Sequence, residues 1–287
     1  MAVPVVRAES FDPTSPRSLR IHTPLVKAWL VAFLRDEVQR RRKMDRVVLG
    51  LSGGVDSAVV AYLAAEAFGP ENVLCLRLPY RLSSKQSLDH ARLVVEALGV
   101  QEQTLEITSM VEGYLGACAA PVDPVRIGNI CARCRMIAIF DHSMAIRGLP
   151  LGTGNKTERL LGYFTWHADD APPINPLGDL YKTQVWQLAQ ELGVPSEIIE
   201  KPPTADLIEG QTDEGDFGIS YERADRILEG ILRGFSSDQL AAFGFTSGEI
   251  ALVRKRLDST HWKRRLPTVA MMSTTSIGEY YLRPVDY

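Results

Sequence analysis

The chain has 287 residues, 45% of them apolar and 23% charged, which suits one large folded α/β domain or a domain with extensions and excludes a disordered or fibrous chain. A formal net charge of −3 gives no overall pull towards nucleic acid or an anionic membrane. Four cysteines are too few for a disulfide scaffold, so a reducing cytoplasm fits, and no run is long and apolar enough to span a bilayer. The first ten residues lack a basic start followed by an apolar core, so no secretion signal is expected.

Residues 1 to about 20 are punctuated by Pro, Ser, Asp and Arg and are expected to form a loose arm before a single domain over 21–287. Pro24 suits the first turn of a helix from about Thr23 to Lys43, with Leu25, Ala28, Trp29, Ala32 and Phe33 as its apolar face. The basic run Arg40 to Lys43 reads as its solvated end. Arg46-Val47-Val48-Leu49 reads as a buried parallel strand. A Ser-Gly-Gly turn follows, then a helical pattern through Val55, Ala58, Val59, Tyr62, Leu63 and Ala65. Asn72 to Leu78 is a second strand, and Ser83-Ser84-Lys85-Gln86 starts a helix that ends at Gly99. Gln103 to Ile107 is a third strand, and a helix runs from about Ser109 to Cys118. Pro121 to Asn129 reads as irregular, a long helix then runs to about Arg147, and Leu149 to Thr153 is a fourth strand. From about Tyr181 the chain is mainly helical. This alternation predicts an α/β fold, a Rossmann-like parallel sheet with helices on both faces and a helical C-terminal part. Ligands of such sheets lie beyond the carboxyl ends of the strands, where Ser52-Gly53-Gly54, Arg77 and Thr153 fall.

Gly50-Leu51-Ser52-Gly53-Gly54-Val55-Asp56-Ser57 sits at the first of these ends. Glycines there let a backbone approach a ligand, and the free amides of the helix start favour an anion. The lysine of the common phosphate loop is missing, and Asp56 stands in the first helical turn instead. A carboxylate beside a pyrophosphate is best explained by a bridging Mg2+. Gly152-Thr153-Gly154-Asn155-Lys156-Thr157-Glu158 follows another strand, and Asp56 with Glu158 makes a sensible two-carboxylate Mg2+ site. The alternative for the second stretch is a plainly capped helix start.

The first loop resembles the SGGxDS loop of the ATP pyrophosphatases, which implies an adenine nucleotide alpha hydrolase-like fold. Six further stretches resemble the NAD synthetases in the correct order. They are Ala132-Arg133-Cys134-Arg135-Met136, Gly152-Thr153 with Glu158 and Gly162 to Thr165, Pro176 to Gln184, Lys201 to Leu207, Asp213-Glu214 with Gly218 to Tyr221, and Lys263 to Pro267. The resemblance implies that Gly50, Leu51, Ser52, Gly53, Gly54, Val55, Asp56 and Ser57 cradle ATP, with Arg77, Thr153, Lys182 and Thr204 as further contacts. It implies Mg2+ on Asp56 and Glu158, catalysis by Asp56, Glu158 and Lys182, and Arg133 and Lys263 at the dinucleotide substrate. The implied reaction is adenylation of deamido-NAD+ by MgATP and displacement of AMP by ammonia, in a cytoplasmic homodimer without nucleic acid or membrane partners.

One segment departs from that pattern. After Phe164-Thr165 the family continues K-Y-G-D-G-G-x-D, whereas here Trp166-His167-Ala168-Asp169-Asp170-Ala171-Pro172-Pro173 follows. The substrate-touching lysine falls on Trp166, and a histidine near the C-terminus becomes Trp262, so ring stacking by Trp166 and Trp262 is expected to replace part of the charge. Two rivals follow: an amide-forming ligase acting on another carboxylate, and a nucleotide-binding regulator without catalysis. Two retained metal-placing carboxylates argue against the second. Cys131 and Cys134 lack a second ligand pair and read as packing residues, and His142, His167 and His261 have no ligand spacing.

Overall fold

The structure, a computed structural model, describes residues 12–15, 17–204, 212–265, 268–270 and 272. Three expectations lie outside these residues: the arm over 1–11 with residue 16, Ala205-Asp206-Leu207 of the proline-rich motif, and Leu266-Pro267. Among the described residues, no helix is long and apolar enough to cross a membrane.

Four strands form one parallel sheet in the order β3-β2-β1-β4: β1 Val47–Gly50, β2 Val73–Arg77, β3 Gln101–Thr104 and β4 Leu149–Pro150. After β4 a parallel bridge of Leu151 to Ile174 extends that edge. The period-two alternation of β1 and β2 sorts side chains into two layers. Val47, Leu49, Val73 and Cys75 pack against α1 (Thr23–Arg35), α2 (Val55–Phe68) and α7 (Lys182–Leu192). Val48, Leu74 and Leu76 pack against α4 (Thr108–Gly116) and α5 (Pro124–Ala145), whose Cys131 and Cys134 are buried there as free thiols. Helices therefore cover both faces, as the alternation predicts. Helix α3 (Lys85–Leu98) completes the flank beside α2. After α6 (Lys156–Leu161) and α7 come the short α8 (Ser196–Ile199) and α9 (Asp213–Phe217), then α10 (Tyr221–Leu232), α11 (Ser237–Ala242) and α12 (Ser247–Ser259). These C-terminal helices gather around the fully buried Tyr221, Phe217 and Leu228.

Strand β3 runs over Gln101–Thr104, fully exposed, rather than Gln103 to Ile107, and β4 stops at Pro150 rather than Thr153; four further features differ from expectation, each for a local reason. Helix α1 turns the other way: Leu30, Val31 and Leu34 face the core, while Leu25 and Trp29 are 66% and 71% exposed. Its last stretch, Asp36–Arg41, is a wide helical turn rather than α-helix. The segment read as irregular is helical from Pro124, because Asp123 accepts from the Arg126 N–H at 3.0 Å and Pro124 fits a first turn. The end of the supposedly loose arm is tied down: Leu19 is buried and its carbonyl accepts from the Gln184 and Gln187 amides at 3.3 and 3.2 Å.

Candidate active site

The turn from β1 into α2 lies against α3. Gly53 has φ +77°, and a Cβ there would meet the Ser87 carbonyl oxygen at 2.1 Å, so only glycine fits. The loop is held from within: Ser52 N–H donates to Ser57 Oγ at 3.2 Å, Gly54 N–H to Ser52 Oγ at 3.2 Å, and Ser57 Oγ–H to the Gly54 carbonyl at 3.0 Å. This seats Asp56 in the first turn of α2, pointing at α6 and α7.

Helix α6 opens on a capping box. Asn155 Oδ1 accepts from Glu158 N–H at 2.9 Å, and Glu158 Oε2 accepts from Asn155 N–H at 3.1 Å. The Asn155 amide also donates to Asp56 Oδ1 at 3.0 Å, so one buried side chain sets both carboxylates. The Lys182 ammonium donates to Asp56 Oδ2 and stands 3.9 Å from Glu158 Oε1. Lys182 is 2% exposed, with its Nζ 5.4 Å from the centre of the Tyr221 ring. Burial raises the Glu158 carboxyl, and the Asp56 charge adds to this. Burial opposes the charged form of Lys182, but the Asp56 and Glu158 carboxylates outweigh it and hold the amine above its usual range.

A second buried group fixes these residues. Asp225 of α10 accepts from Thr157 Oγ1 at 2.6 Å and from Thr183 N–H and Oγ1 at 3.0 and 2.8 Å. Thr157 Oγ1 in turn accepts from Lys182 N–H at 2.9 Å. Asp225 thus joins the starts of α6 and α7, one residue from both Glu158 and Lys182. Burial pushes Asp225 up to about 6 even though its three donors pull the other way.

Asp56, Glu158 and Lys182 open into one cleft of about 380 Å³. Gly50, Leu51, Ser52, Gly54, Val55, Asp56, Ser57, Thr153, Glu158, Lys182 and Thr204 all line it. Arg77, Gly53, Arg133, Trp166, Trp262 and Lys263 are not among its lining residues. The Arg77 guanidinium is taken by Glu102 of β3 at 3.0 Å. Arg133 donates to the Trp166 carbonyl at 3.2 Å. Trp166 stacks on His167 with centroids 4.0 Å apart and meets the edge of Trp262 at 5.1 Å. The Lys263 ammonium donates to the carbonyls of Gly162, at 2.7 Å, and Phe164, so it supports the Phe164–Thr165 wall from behind. The wall also holds Arg135, Arg159, Tyr163, Lys201 and Asp213. Asn155 and Asp225 are given no role by the sequence, and Asp213 enters there only as part of a family-like stretch. Only Asn155 carried a local signal, the N-x-x-E spacing of a capping box.

An oxygen-only carboxylate pair, with a lysine ammonium between them as a stand-in cation, fits Mg2+ chemistry. Among the described residues no three His, Cys, Asp or Glu side chains form a complete metal cage, so substrate oxygens would have to complete the shell.

A glycine turn with convergent charges at the carboxyl end of a parallel sheet defines a nucleotide-binding α/β enzyme. A family model described as NAD synthase matches residues 26–267. The NH(3)-dependent NAD(+) synthetase of Trichlorobacter lovleyi is 48% identical over 94% of this chain and 98% of its own length. The enzyme of that name from Chlorobaculum parvum is 44% identical over 92% and 95%. Among solved structures, an NMN synthetase from Francisella tularensis aligns with a TM-score of 0.79 at 30% identity, covering 88% of this chain and 100% of that one. An NH3-dependent NAD synthetase from Campylobacter jejuni aligns at 0.74 and 29%, with the same coverage. The chain belongs to the NAD synthase family and is a ligase of NAD biosynthesis.

Proposed function

We propose that the cleft binds ATP on the Gly50–Ser57 turn, adenylates deamido-NAD+, and lets ammonia displace AMP to give NAD+. The observation that carries this reading is the convergence of Asp56, Glu158 and Lys182 on that turn. The turn's backbone would cradle phosphate oxygens, with Thr153 and Thr204 on the facing walls. Lys182 would turn from Asp56 to the α-phosphate as its charge spreads during attack by the substrate carboxylate. Asp56 and Glu158 would hold Mg2+, which when bound supplies charge neutralisation for the leaving pyrophosphate. Phe164 and Thr165, backed by Lys263, would form the acyl-substrate side, with Arg133, Trp166 and Trp262 behind it.

A cytoplasmic homodimer is part of the same reading. Its supports are four free cysteines and apolar side chains left exposed on α1, Leu25 and Trp29, and on α5, Val125, Ile137 and Met144. Sedimentation equilibrium checks it.

The test of the reaction is NAD+ formation from deamido-NAD+, ATP, Mg2+ and ammonium chloride, with pyrophosphate and AMP released in equal amounts. A second reading, an amide-forming ligase on a different carboxylate, is favoured by the altered 166–173 segment and by the likeness to a protein named NMN synthetase. Running the assay with nicotinate mononucleotide in parallel separates the two. Pyrophosphate release without NAD+ at saturating deamido-NAD+ would leave only the second.

A further inference from the structure

Arg133 and Arg135 stand two residues apart on α5 and so point in different directions. Arg133 is exposed and donates to the Trp166 carbonyl. Arg135 is half-buried and lines the cleft. Its Nε–H donates to the Leu78 carbonyl, just past the end of β2, at 3.0 Å. That bond fixes the plane of the guanidinium and leaves its two terminal NH2 groups over. Among the described residues neither terminal nitrogen has a hydrogen-bond or ion-pair partner, and neither is closed off from the surface.

The guanidinium stands on the acyl-substrate side. Thr165 Oγ1–H donates to Asn129 Oδ1 at 2.8 Å, which stitches the wall after Phe164 to α5. Asp169, further along that wall, also lines the cleft. Desolvation raises the Asp169 carboxyl, and the Arg135 charge pulls against this without an ion pair closing between them. The other cations of the cleft are placed elsewhere. Lys182 is committed to Asp56 and Glu158, and Lys201 donates to Ser87 Oγ at 2.8 Å. Arg159 follows Glu158 on α6, at the metal end. Trp166, where the family has a substrate-touching lysine, brings no charge and lies outside the lining. A carboxylate brought up to a triphosphate needs a cation beside it, and the paired NH2 groups of a guanidinium match its two oxygens.

We infer that Arg135, through its two terminal NH2 groups, binds the reacting carboxylate of the acid substrate and so supplies the cation that Trp166 does not. This rests on the carboxylate-activating reading above. It also makes Arg135 a specificity residue: the acid gains a charge-assisted pair that the amide product lacks, which favours product release.

The experiment compares two dinucleotides that differ only in that group. Binding of deamido-NAD+ and of NAD+ to the full-length chain, without ATP, is measured by titration calorimetry. Arg135→Gln is expected to weaken deamido-NAD+ about tenfold or more, the loss of one charge-assisted pair, and to leave NAD+ within about twofold of wild type. Arg135→Lys keeps the charge without the fork and should recover part of the lost affinity for the acid alone. Equal weakening of acid and amide overturns the inference, because it assigns Arg135 to the phosphates or to the shape of the wall. Unchanged affinity for the acid overturns it too. Should Arg135→Gln not fold, Arg135→Lys decides: a several-fold loss confined to deamido-NAD+ supports the contact, and any other pattern overturns it. A wild-type chain that binds nicotinate mononucleotide but not deamido-NAD+ overturns the deamido-NAD+ reading alone. The same comparison then runs with nicotinate and nicotinamide mononucleotides, under the same expectations. A wild-type chain that binds neither acid overturns both.

Discussion

Lys182 is the residue on which the cleft turns. A buried ammonium is costly unless paired, and here it neutralises two carboxylates that would otherwise repel each other. Removing one partner leaves the others uncompensated. Asp56→Asn and Glu158→Gln should each lower kcat on the order of a hundredfold, as loss of transition-state charge stabilisation does. A turnover near wild type at limiting Mg2+ in either variant would withdraw the metal role. Lys182→Gln should lower kcat by a similar order of magnitude. It should also lower the metal-free Tm by several degrees, because Asp56 and Glu158 are left facing one another. Mg2+ should restore much of that Tm but none of the kcat. This split separates a lysine that acts on substrate from one that only balances charge, and unfolding scans with and without Mg2+ read it directly.

At the level of elements, the site is placed by where two helices begin. Asp225 ties the starts of α6 and α7 through Thr157 and Thr183, and Thr157 Oγ1 also accepts the Lys182 N–H. Thr157→Val removes a donor from a fully buried carboxylate and an acceptor from Lys182 N–H. It should cost about 1–3 kcal/mol of stability. It should also lower kcat about tenfold by letting Glu158 and Lys182 drift, since a small misplacement of positioned groups is costly. Thr183→Val keeps the backbone donor to Asp225, so its effects should be smaller on both counts. Equal effects, measured by chemical denaturation and steady-state turnover, would deny Thr157 its double part. This network was not legible in the sequence, because Asp225 lies 68 residues from Thr157 and nothing local marks it. The strand-to-helix turn and strands β1, β2 and β4 were legible, since continuous apolar runs and glycine punctuation are local signals, whereas β3, polar and exposed over Gln101–Thr104, starts two residues before its expected place. The rotation of α1 was not. Its apolar residues nearly encircle the helix, so Leu25 and Trp29 could be told from Leu30 and Leu34 only by what packs against them. The start of α5 was obscured by Pro121 and Pro124, which mark a turn and a helix start alike.

The whole molecule stacks two apolar layers on a short sheet and puts its buried charges in the seam between that stack and the C-terminal helices. That arrangement makes its stability depend on pH in an unusual direction. Burial raises Asp225 to about 6 from an ordinary value of 3.8, and it raises Glu158 and Asp213 as well. A raised carboxyl binds its proton more tightly in the folded state than in the unfolded one. Each such group therefore weakens the fold at neutral pH, and that penalty is relieved as pH falls through the folded value towards the unfolded one. For Asp225 the window runs from about 6 down to 3.8. Glu249 acts the other way: the Arg223 guanidinium holds it at about 2, so its stabilisation is present above 4.5 and is lost as pH falls from there towards 2. The two kinds of group leave an optimum between them. The metal-free chain should show its highest Tm on the acid side of neutrality, between about pH 4.5 and 6, and a lower Tm at pH 7.5. Asp225→Asn should flatten the rise between pH 7.5 and 5, because no proton is then taken up at that position. Saturating Mg2+ with ATP should flatten it further, since Glu158 would then be held ionised in the folded state. A Tm that falls steadily from pH 7.5 to 5 in the metal-free protein would show that the buried carboxylates do not govern the acid side of its stability.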